Sequence, residues 1–577
     1  METLSTANNP NLDRKLEVSD NQVKPEKVRV GLYLQSILVP KWIYSMLSDI
    51  VNSEYIDLIV AVKNMAVLPS APSFWKIIKD HSNLLFYGIY ARLDERLFNE
   101  YDDPFQLVNA GELLSDVPVW EVEPRMKKYS DYLADEDVEI IRGYNLDVML
   151  RLGFRILKGR ALDVARYGVW SYHHGDNQRY RGSPAGFWEV MNCDPITGTI
   201  VQIINEDLDN GKVIHRSYSR THNRSVKLNK QRYFWKSARI IPRKLDQLAR
   251  IGTSALDDHY ENSPLQPYLS PMYRIPDNRQ MMKGLWKLLS LYAKDKLRGL
   301  VTYFQWYIAY RINRNSNDPD LSFFRFQKII PPLNRFFADP FPVYHDGCYY
   351  IFFEDYIWSE VKGYISVIKI DQKGKQGQIQ RVLERPYHLS YPFIFQQDDN
   401  YYMIPETMDA HRIELYKCRE FPDQWELDRV LMENVNAVDT TLIEHDGLWW
   451  MFTNIDDDYN SYNEDLYIFY ADSPFGPWVP HPMNPVKSDI RNSRPAGRIF
   501  RHKDKLYRPA QDSSIVYGKT TVINEIIELS KTHFREKEIS RIDSNWEADL
   551  TGIHTFNHVE NMTVIDCRRE YRGLSRE

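Results

Sequence analysis

Apolar residues fall along this chain in two rhythms. In the first, short continuous apolar runs alternate with amphipathic stretches. Val28-Arg-Val-Gly-Leu-Tyr-Leu34 has the density of a strand buried on both faces, residues 41–51 have helical spacing, and residues 57–62 form a second strand. A third strand is expected near residues 84–90 and a fourth at 148–152. The fourth leads into a helical segment at 157–166 and then a strand ending at Ser171. Such alternation predicts a parallel sheet with helices on both faces, an α/β domain over residues 27–250. The turn after the first strand, Gln35-Ser-Ile-Leu-Val-Pro40, lacks the glycine pattern of a dinucleotide fingerprint.

The second rhythm starts at Phe336 and repeats. Ala338-Asp-Pro-Phe341, Ser390-Tyr-Pro-Phe393, Val438-Asp-Thr-Thr441, Ser493-Arg-Pro-Ala496 and Asp549-Leu-Thr-Gly552 follow one another at spacings of 52, 48, 55 and 56. The first four continue with a strand, a polar turn (His345-Asp-Gly, Gln397-Asp-Asp, His445-Asp-Gly, His502-Lys-Asp) and an aromatic strand; in the fifth the second strand is faint. Units of about fifty residues, each several short strands long, predict an all-β five-bladed β-propeller over residues 331–577.

Between the two lies a linker, residues 251–330, with an aromatic, basic, helical stretch at 283–314. Its longest uncharged run, Gly299 to Tyr310, is 12 residues, short of the roughly 20 that span a bilayer. It reads as a linker helix, with peripheral membrane contact as the alternative.

Composition narrows the partners. The 577 residues carry a net charge of −6, which gives no reason to expect nucleic acid. The four cysteines (Cys193, Cys348, Cys418, Cys567) show no paired spacing, and the first 26 residues are a polar, disordered lead-in rather than a signal peptide. Both features lead to the expectation of a cytoplasmic protein, with a place peripheral to the inner face of a membrane as the alternative, and no metal site. Residues 216–250 are strongly basic: a solvated helix face or a cationic wall for a phosphate-bearing substrate.

The candidate chemistry begins at His173 and His174, followed by Arg179-Tyr-Arg-Gly182, Thr197-Gly-Thr199 and Leu208-Asp-Asn-Gly211. Imidazole beside carboxylate suits acyl or proton transfer. These elements resemble the core motif of the 10-formyltetrahydrofolate-dependent formyltransferases, a Rossmann-like α/β family. The resemblance implies His173 and Asp209 as catalytic residues and 10-formyltetrahydrofolate as cofactor. Ser171 stands where the family has its oxyanion-binding Asn, a change that costs about 3 kcal/mol when one donor is lost. His174 and Asp176 are possible supports, since Asp176 is placed to pair with either histidine.

The repeats resemble the propeller of plant glucosamine inositolphosphorylceramide transferases, through "HLSYPFIF…YYMIPET", "HPMNPVKSDIRNSRPAG" and "LYRPAQD". More distantly they are similar to five-bladed glycosidases of the arabinanase type. That likeness implies a base at Asp339, a supporting carboxylate at Asp439 and an acid in the fourth blade, where this chain has Arg494. Glu406 and Asp512 are candidate replacements. Asp339, Asp439 and Arg494 would otherwise line a carbohydrate-binding funnel.

The two resemblances together imply formyl transfer to the amine of a nucleotide-linked amino sugar, with the propeller binding glycan. The alternatives are another carbohydrate-active enzyme, with glycosyl transfer in glycan or glycolipid assembly, and a non-catalytic glycan-binding scaffold.

Overall fold

A computed structural model describes residues 26–66, 82–98, 102–207, 211–257, 271–314, 316–456 and 461–572. The chain divides into two compact units, one within Lys24–Lys296 and the other within Leu297–Glu577.

The first unit is built on a seven-stranded sheet. Its order is Lys212–Arg220, Ile196–Ile203, Val169–His173, Val148–Arg151, Val28–Leu34, Ile56–Asn64, Val119–Val122. The last five strands pair in parallel; the first two are antiparallel additions at one edge. Helices Lys41–Asn52 and Val226–Ile251 pack against each other and against the sheet. The longer helix starts on Ser225, whose hydroxyl accepts from the Leu228 amide and caps it.

Three expectations for this unit are corrected. Residues 84–90 form no strand: Leu84 ends a 3₁₀ turn, Ser82–Leu84, and the rest belong to helix Leu85–Leu97. The run Leu-Leu-Phe-Tyr there is short and apolar, and periodicity alone does not separate the two states. Residues 157–166 form no α-helix: Ile156–Leu157 is a short strand and Gly159–Leu162 one 3₁₀ turn. The basic stretch is not a solvated face either. Within it Lys236 and Lys244 are buried, with Gln231, Ser237 and Leu245, because helix Val226–Ile251 presents both sides to its surroundings.

The second unit contains five antiparallel sheets in chain order: Arg335–Leu383, Ser390–Glu433, Asn436–Ser488, Phe500–Ile542, and a fifth around Met562–Arg572. The polar turns explain the hairpins. Asp346/Gly347, Asp398/Asp399, Asp446/Gly447 and Lys503/Asp504 all have positive φ at both central residues. That is the primed-turn geometry whose twist matches the flanking strands, and Asp and Gly tolerate it best.

Two corrections concern the fifth sheet. Residues 302–312 are not helical: helix Asn278–Val301 gives way to strand Thr302–Ile312, which pairs along its length with Met562–Arg572. Residues 305–310 are buried in succession, hence on both faces, so the apolar run looks like a buried helix. The repeat opening at 549–552 is also displaced. In the first three sheets the ladder breaks at 338/341, 390/393 and 438/441; in the fifth, pairing stops at Gly552 and resumes at Phe556. The equivalent opening is therefore Ile553-His-Thr-Phe556.

No described helix is long and apolar enough to cross a membrane. Met282, Trp286, Leu289, Leu297 and Leu300 of helix Asn278–Val301 are exposed.

Candidate functional site

In the first unit the motif residues sit where parallel strands end, the usual place for ligands in open α/β sheets. Ser171 and His173 lie on strand Val169–His173. The buried Ser171 Oγ accepts from Arg151 Nε at 3.0 Å and Nη2 at 2.8 Å, and donates to the Tyr172 carbonyl at 3.2 Å. The residue expected to stand in for the family's Asn is thus held by a guanidinium. His173 Nε2 is 3.3 Å from the Tyr180 carbonyl, across the turn that Asp176–Tyr180 forms; Gly182, expected in that turn, bridges to Tyr273 instead.

His174 points the other way. Its ring stacks on Tyr172 at 5.3 Å, lies 3.9 Å from Phe234 and meets Trp42 edge-on at 5.6 Å. Burial in this aromatic cage pushes its pKa down to about 3, with His173 and Lys230 adding to the effect. It is a neutral, half-buried side chain that also borders the pocket described below. Asp176 serves the turn: its carboxylate accepts from the Gln178 amide at 3.0 Å. A Cβ at position 198 would lie 2.9 Å from the Asp176 nitrogen, so Gly198 of the Thr-Gly-Thr motif is what lets strand and turn approach. Asp209 lies outside the described residues.

Sequence reasoning missed Glu189, which lines a small pocket with Arg181, Gly182, Gly186, Trp188 and Tyr273. Burial, then the charges of Asp194 and Asp176, pushes its carboxyl up to about 8.

The second unit gathers more chemistry. Four sheets contribute the residue at their ladder break, Asp339, Tyr391, Asp439 and His554, and Arg494 joins them from beside the isolated bridge Pro495–Ala510 ahead of the fourth sheet. Asp339, Tyr391 and Asp439 share a left-handed backbone, φ 50°, 45° and 54°, which turns three side chains the same way. Arg494 clamps Asp439 through Nε at 2.5 Å and Nη2 at 3.1 Å, and reaches Asn463 at 3.0 Å and Glu406 at 3.4 Å. Tyr391 Oη lies 2.9 Å from Thr441 Oγ1 and accepts from the Gly497 amide at 2.7 Å. His554 stands between two carboxylates, Nε2 at 3.1 Å from Asp339 and Nδ1 at 2.8 Å from Asp566. Thr555 donates to Asp339 at 2.8 Å.

The electrostatics follow from this packing. Although burial opposes it, the paired charges of Asp566 and Asp339 push His554 up to about 10, so it is an imidazolium. That charge holds Asp339 below the usual carboxylate range against its own burial. Asp339, His554 and Asp566 also bring their ligating atoms within 4.8 Å of one another, so this trio could hold a metal ion. Glu354 and Glu406 go the other way: burial, then the charges of Asp339 and Asp439 respectively, holds both well above the usual range. Burial pushes Asp439 up as well, opposed by the Arg494 guanidinium.

Of the expected funnel residues, Asp339, Asp439, Arg494 and Glu406 come together. Asp512 turns elsewhere, accepting from Ser514 and Arg541 at 2.6 Å each. His554, Asp566 and Glu354 were missed. Glu354 was findable, because it faces Ala338 in the ladder as Glu406 faces Ser390. His554 was hidden by the misplaced fifth opening.

Residues 327–564 match the family profile described as glucosamine inositolphosphorylceramide transferase 1, N-terminal. The rice (Oryza sativa subsp. japonica) enzyme of that name is 34% identical over 214 residues, 36% of this chain and 28% of the relative. The Arabidopsis thaliana enzyme is 33% identical over 233 residues, 39% of this chain and 30% of its own length. Methionyl-tRNA formyltransferase from Agathobacter rectalis is 33% identical over 82 residues, 14% and 26% of the two chains. The chain therefore spans under a third of the length of these curated relatives.

Among solved structures, a family 117 glycoside hydrolase from Zobellia galactanivorans covers 48% of this chain and 92% of its own at 13% identity and TM-score 0.31. A glycinamide ribonucleotide transformylase from Symbiobacterium toebii covers 39% and 88% at 15% identity and TM-score 0.26.

These relatives correct the expected cytoplasmic location. The plant enzymes are named for a ceramide, a membrane lipid, and unpaired cysteines do not outweigh that kinship. All three curated relatives are transferases, and the plant enzymes are named for a sugar and a glycolipid.

Proposed function

We propose that this chain is a carbohydrate-active transferase of glycan or glycolipid assembly, and that the cluster in its β unit is where it holds a sugar. One observation carries the reading: buried residues from all five successive repeats, at least one from each, meet in a single cluster of acids and bases. We read those sheets as blades of a closed propeller. Sheet one bonds to sheet five through Asp339–Thr555, sheet two to three through Tyr391–Thr441, and sheet four to three through Arg494–Asp439.

The chemistry suits sugars. Glu406, kept protonated by burial, can give a proton to a leaving oxygen; Asp339, kept ionised by His554, can accept one. Arg494 is a fixed support rather than an acid, since its charge is spent on Asp439. Asp339→Asn should lower the melting temperature, since it breaks the buried pair with His554, and should abolish binding of sugars to the full chain in titration calorimetry at temperatures where the variant is still folded. Unchanged binding would sink the reading. In helix Asn278–Val301 the exposed Trp286, Leu289 and Leu297 lie near Lys283, Lys287 and Lys294. We read this side as the contact with a lipid surface. Co-sedimentation with anionic vesicles, lost in Trp286→Glu, tests it.

A second reading, N-formylation of an amino sugar with 10-formyltetrahydrofolate, is favoured by the formyltransferase similarity and by His173 at a strand end. The donor set does not fit that cofactor in the family's form, because Ser171 is engaged by Arg151, and no step is derived through it. Calorimetry with a stable 10-formyltetrahydrofolate analogue tests this reading, and absence of binding removes it.

A further inference from the structure

The small pocket of the first unit is lined by a carboxyl group that lacks a partner. Glu189 is 1% exposed, and its Oε1 has no hydrogen bond. Arg179, which would draw the group toward ionisation, is spent on Asp194 at 2.6 Å, and Asp194 also accepts from Tyr180 Oη at 2.9 Å. Two more buried polar atoms around the pocket are unpartnered: Nδ1 of His174, which lines it, and Oη of Tyr233. A Cβ at position 186 would come within 2.8 Å of that hydroxyl, so Tyr233 Oη lies against the pocket wall at Gly186. Aromatic rings supply other walls. Trp188 and Tyr273 meet with ring centres 5.0 Å apart and planes 34° apart, and Tyr180 stacks on Tyr273 at 5.4 Å.

The protonation of Glu189 selects the ligand. Burial keeps its carboxyl protonated at neutral pH, so it offers one O–H donor beside one C=O acceptor. An anion would place an unpaired charge in this setting against the field of Asp194 and Asp176. A cation would have to strip the proton from Glu189. An aliphatic group would leave all three polar atoms without partners. An amide edge, an N–H beside a C=O, is the neutral complement of a carboxylic acid, since each donates once and accepts once.

We propose that this pocket binds a planar molecule through an amide edge, paired with the Glu189 carboxyl and lying against the Trp188 and Tyr273 rings. The site is independent of the cluster in the β unit.

Ligand-observed NMR titration of the full chain at pH 7 tests it with three probes of one shape: benzamide, benzoate and benzamidinium. Benzamide should bind at least about tenfold more tightly than either ion, because it alone meets both halves of the acid without burying a charge. Glu189→Leu, close in volume, should cost benzamide about tenfold. Glu189→Gln keeps a donor beside an acceptor and should hold benzamide within about threefold. Melting temperature checks the fold of both variants; should Glu189→Leu melt early, Glu189→Gln and the probe series decide. Tightest binding by benzamidinium would overturn the inference in favour of an ion pair with an ionised Glu189. Tightest binding by benzoate would overturn it in favour of an anion site. Equal losses in the two variants, or silence from all three probes, would remove it.

Discussion

The two units each bury a histidine, and they do opposite things with it. His174 sits among Tyr172, Phe234 and Trp42, where nothing compensates a charge, and is held neutral with a pKa of about 3. His554 sits between Asp339 and Asp566 and is held protonated to about 10. Burial is common to both, so burial alone does not decide protonation; the neighbours' charge does. An imidazole in an aromatic cage is packing. The same ring between two carboxylates is an electrostatic keystone, and it marks the unit that carries the ionic chemistry.

The largest effect should separate the two rings by substitution. His554→Phe leaves Asp339 and Asp566 facing each other without a cation, and should cost about 3–5 kcal/mol in chemical denaturation. His174→Phe extends an aromatic cage and removes an unpartnered Nδ1, so it should stay within about 1 kcal/mol of the parent. Equal losses would erase the contrast.

Next in size is the response to pH. His174 has a depressed pKa, so its contribution is full above the unfolded value of about 6.5 and is lost as pH falls toward about 3. His554 has a raised pKa; its contribution is full below that same unfolded value and is lost as pH rises through about 10. Glu536, held down to about 2 by Arg508 and Lys487 against its burial, gives the β unit an acid limit lost between its unfolded value and about 2. Mild acid, near pH 5.5, should therefore loosen the first unit before the second. Pulse proteolysis with fragment mass analysis reads each unit separately, and earlier cleavage within 297–577 at that pH would contradict the assignment.

The smallest effect should come from Ser171→Asn. The amide carbonyl can still accept from Arg151, so the cost is that of fitting a larger side chain into a buried position, about 1 kcal/mol. If the first unit retains folate chemistry, the variant should gain affinity for the formyltetrahydrofolate analogue.

The contrast also explains what the sequence could and could not convey. The strands Val28–Leu34 and Val148–Arg151 were legible because two-sided burial leaves an unbroken apolar run bounded by polar residues. Four of five sheets were legible because their primed turns demand Asp and Gly at fixed places. Strand Thr302–Ile312 was not, since its partner lies some 260 positions later and nothing local records the pairing. The site followed the same rule. Asp339, Asp439 and Arg494 stand at repeat openings and could be read in one dimension. Glu354 needed the ladder, and His554 needed the true register of the fifth sheet. Whether a histidine is charged lies wholly in the third dimension.

The pairing of Thr302–Ile312 with Met562–Arg572 has a mechanical consequence. The eleven-residue ladder joins the beginning of the β unit to its end, like a clasp on a bracelet. Because Thr302 pairs with Arg572 in an antiparallel ladder, pulling on the two ends of this unit would load the clasp at one end and unzip it bond by bond before any other sheet is strained. During synthesis the clasp stays open until Met562–Arg572 emerges, and the opening strand waits for a partner made some 260 positions later. Deleting the final strand should then leave the edge of Thr302–Ile312 bare, a template for the same strand of another copy.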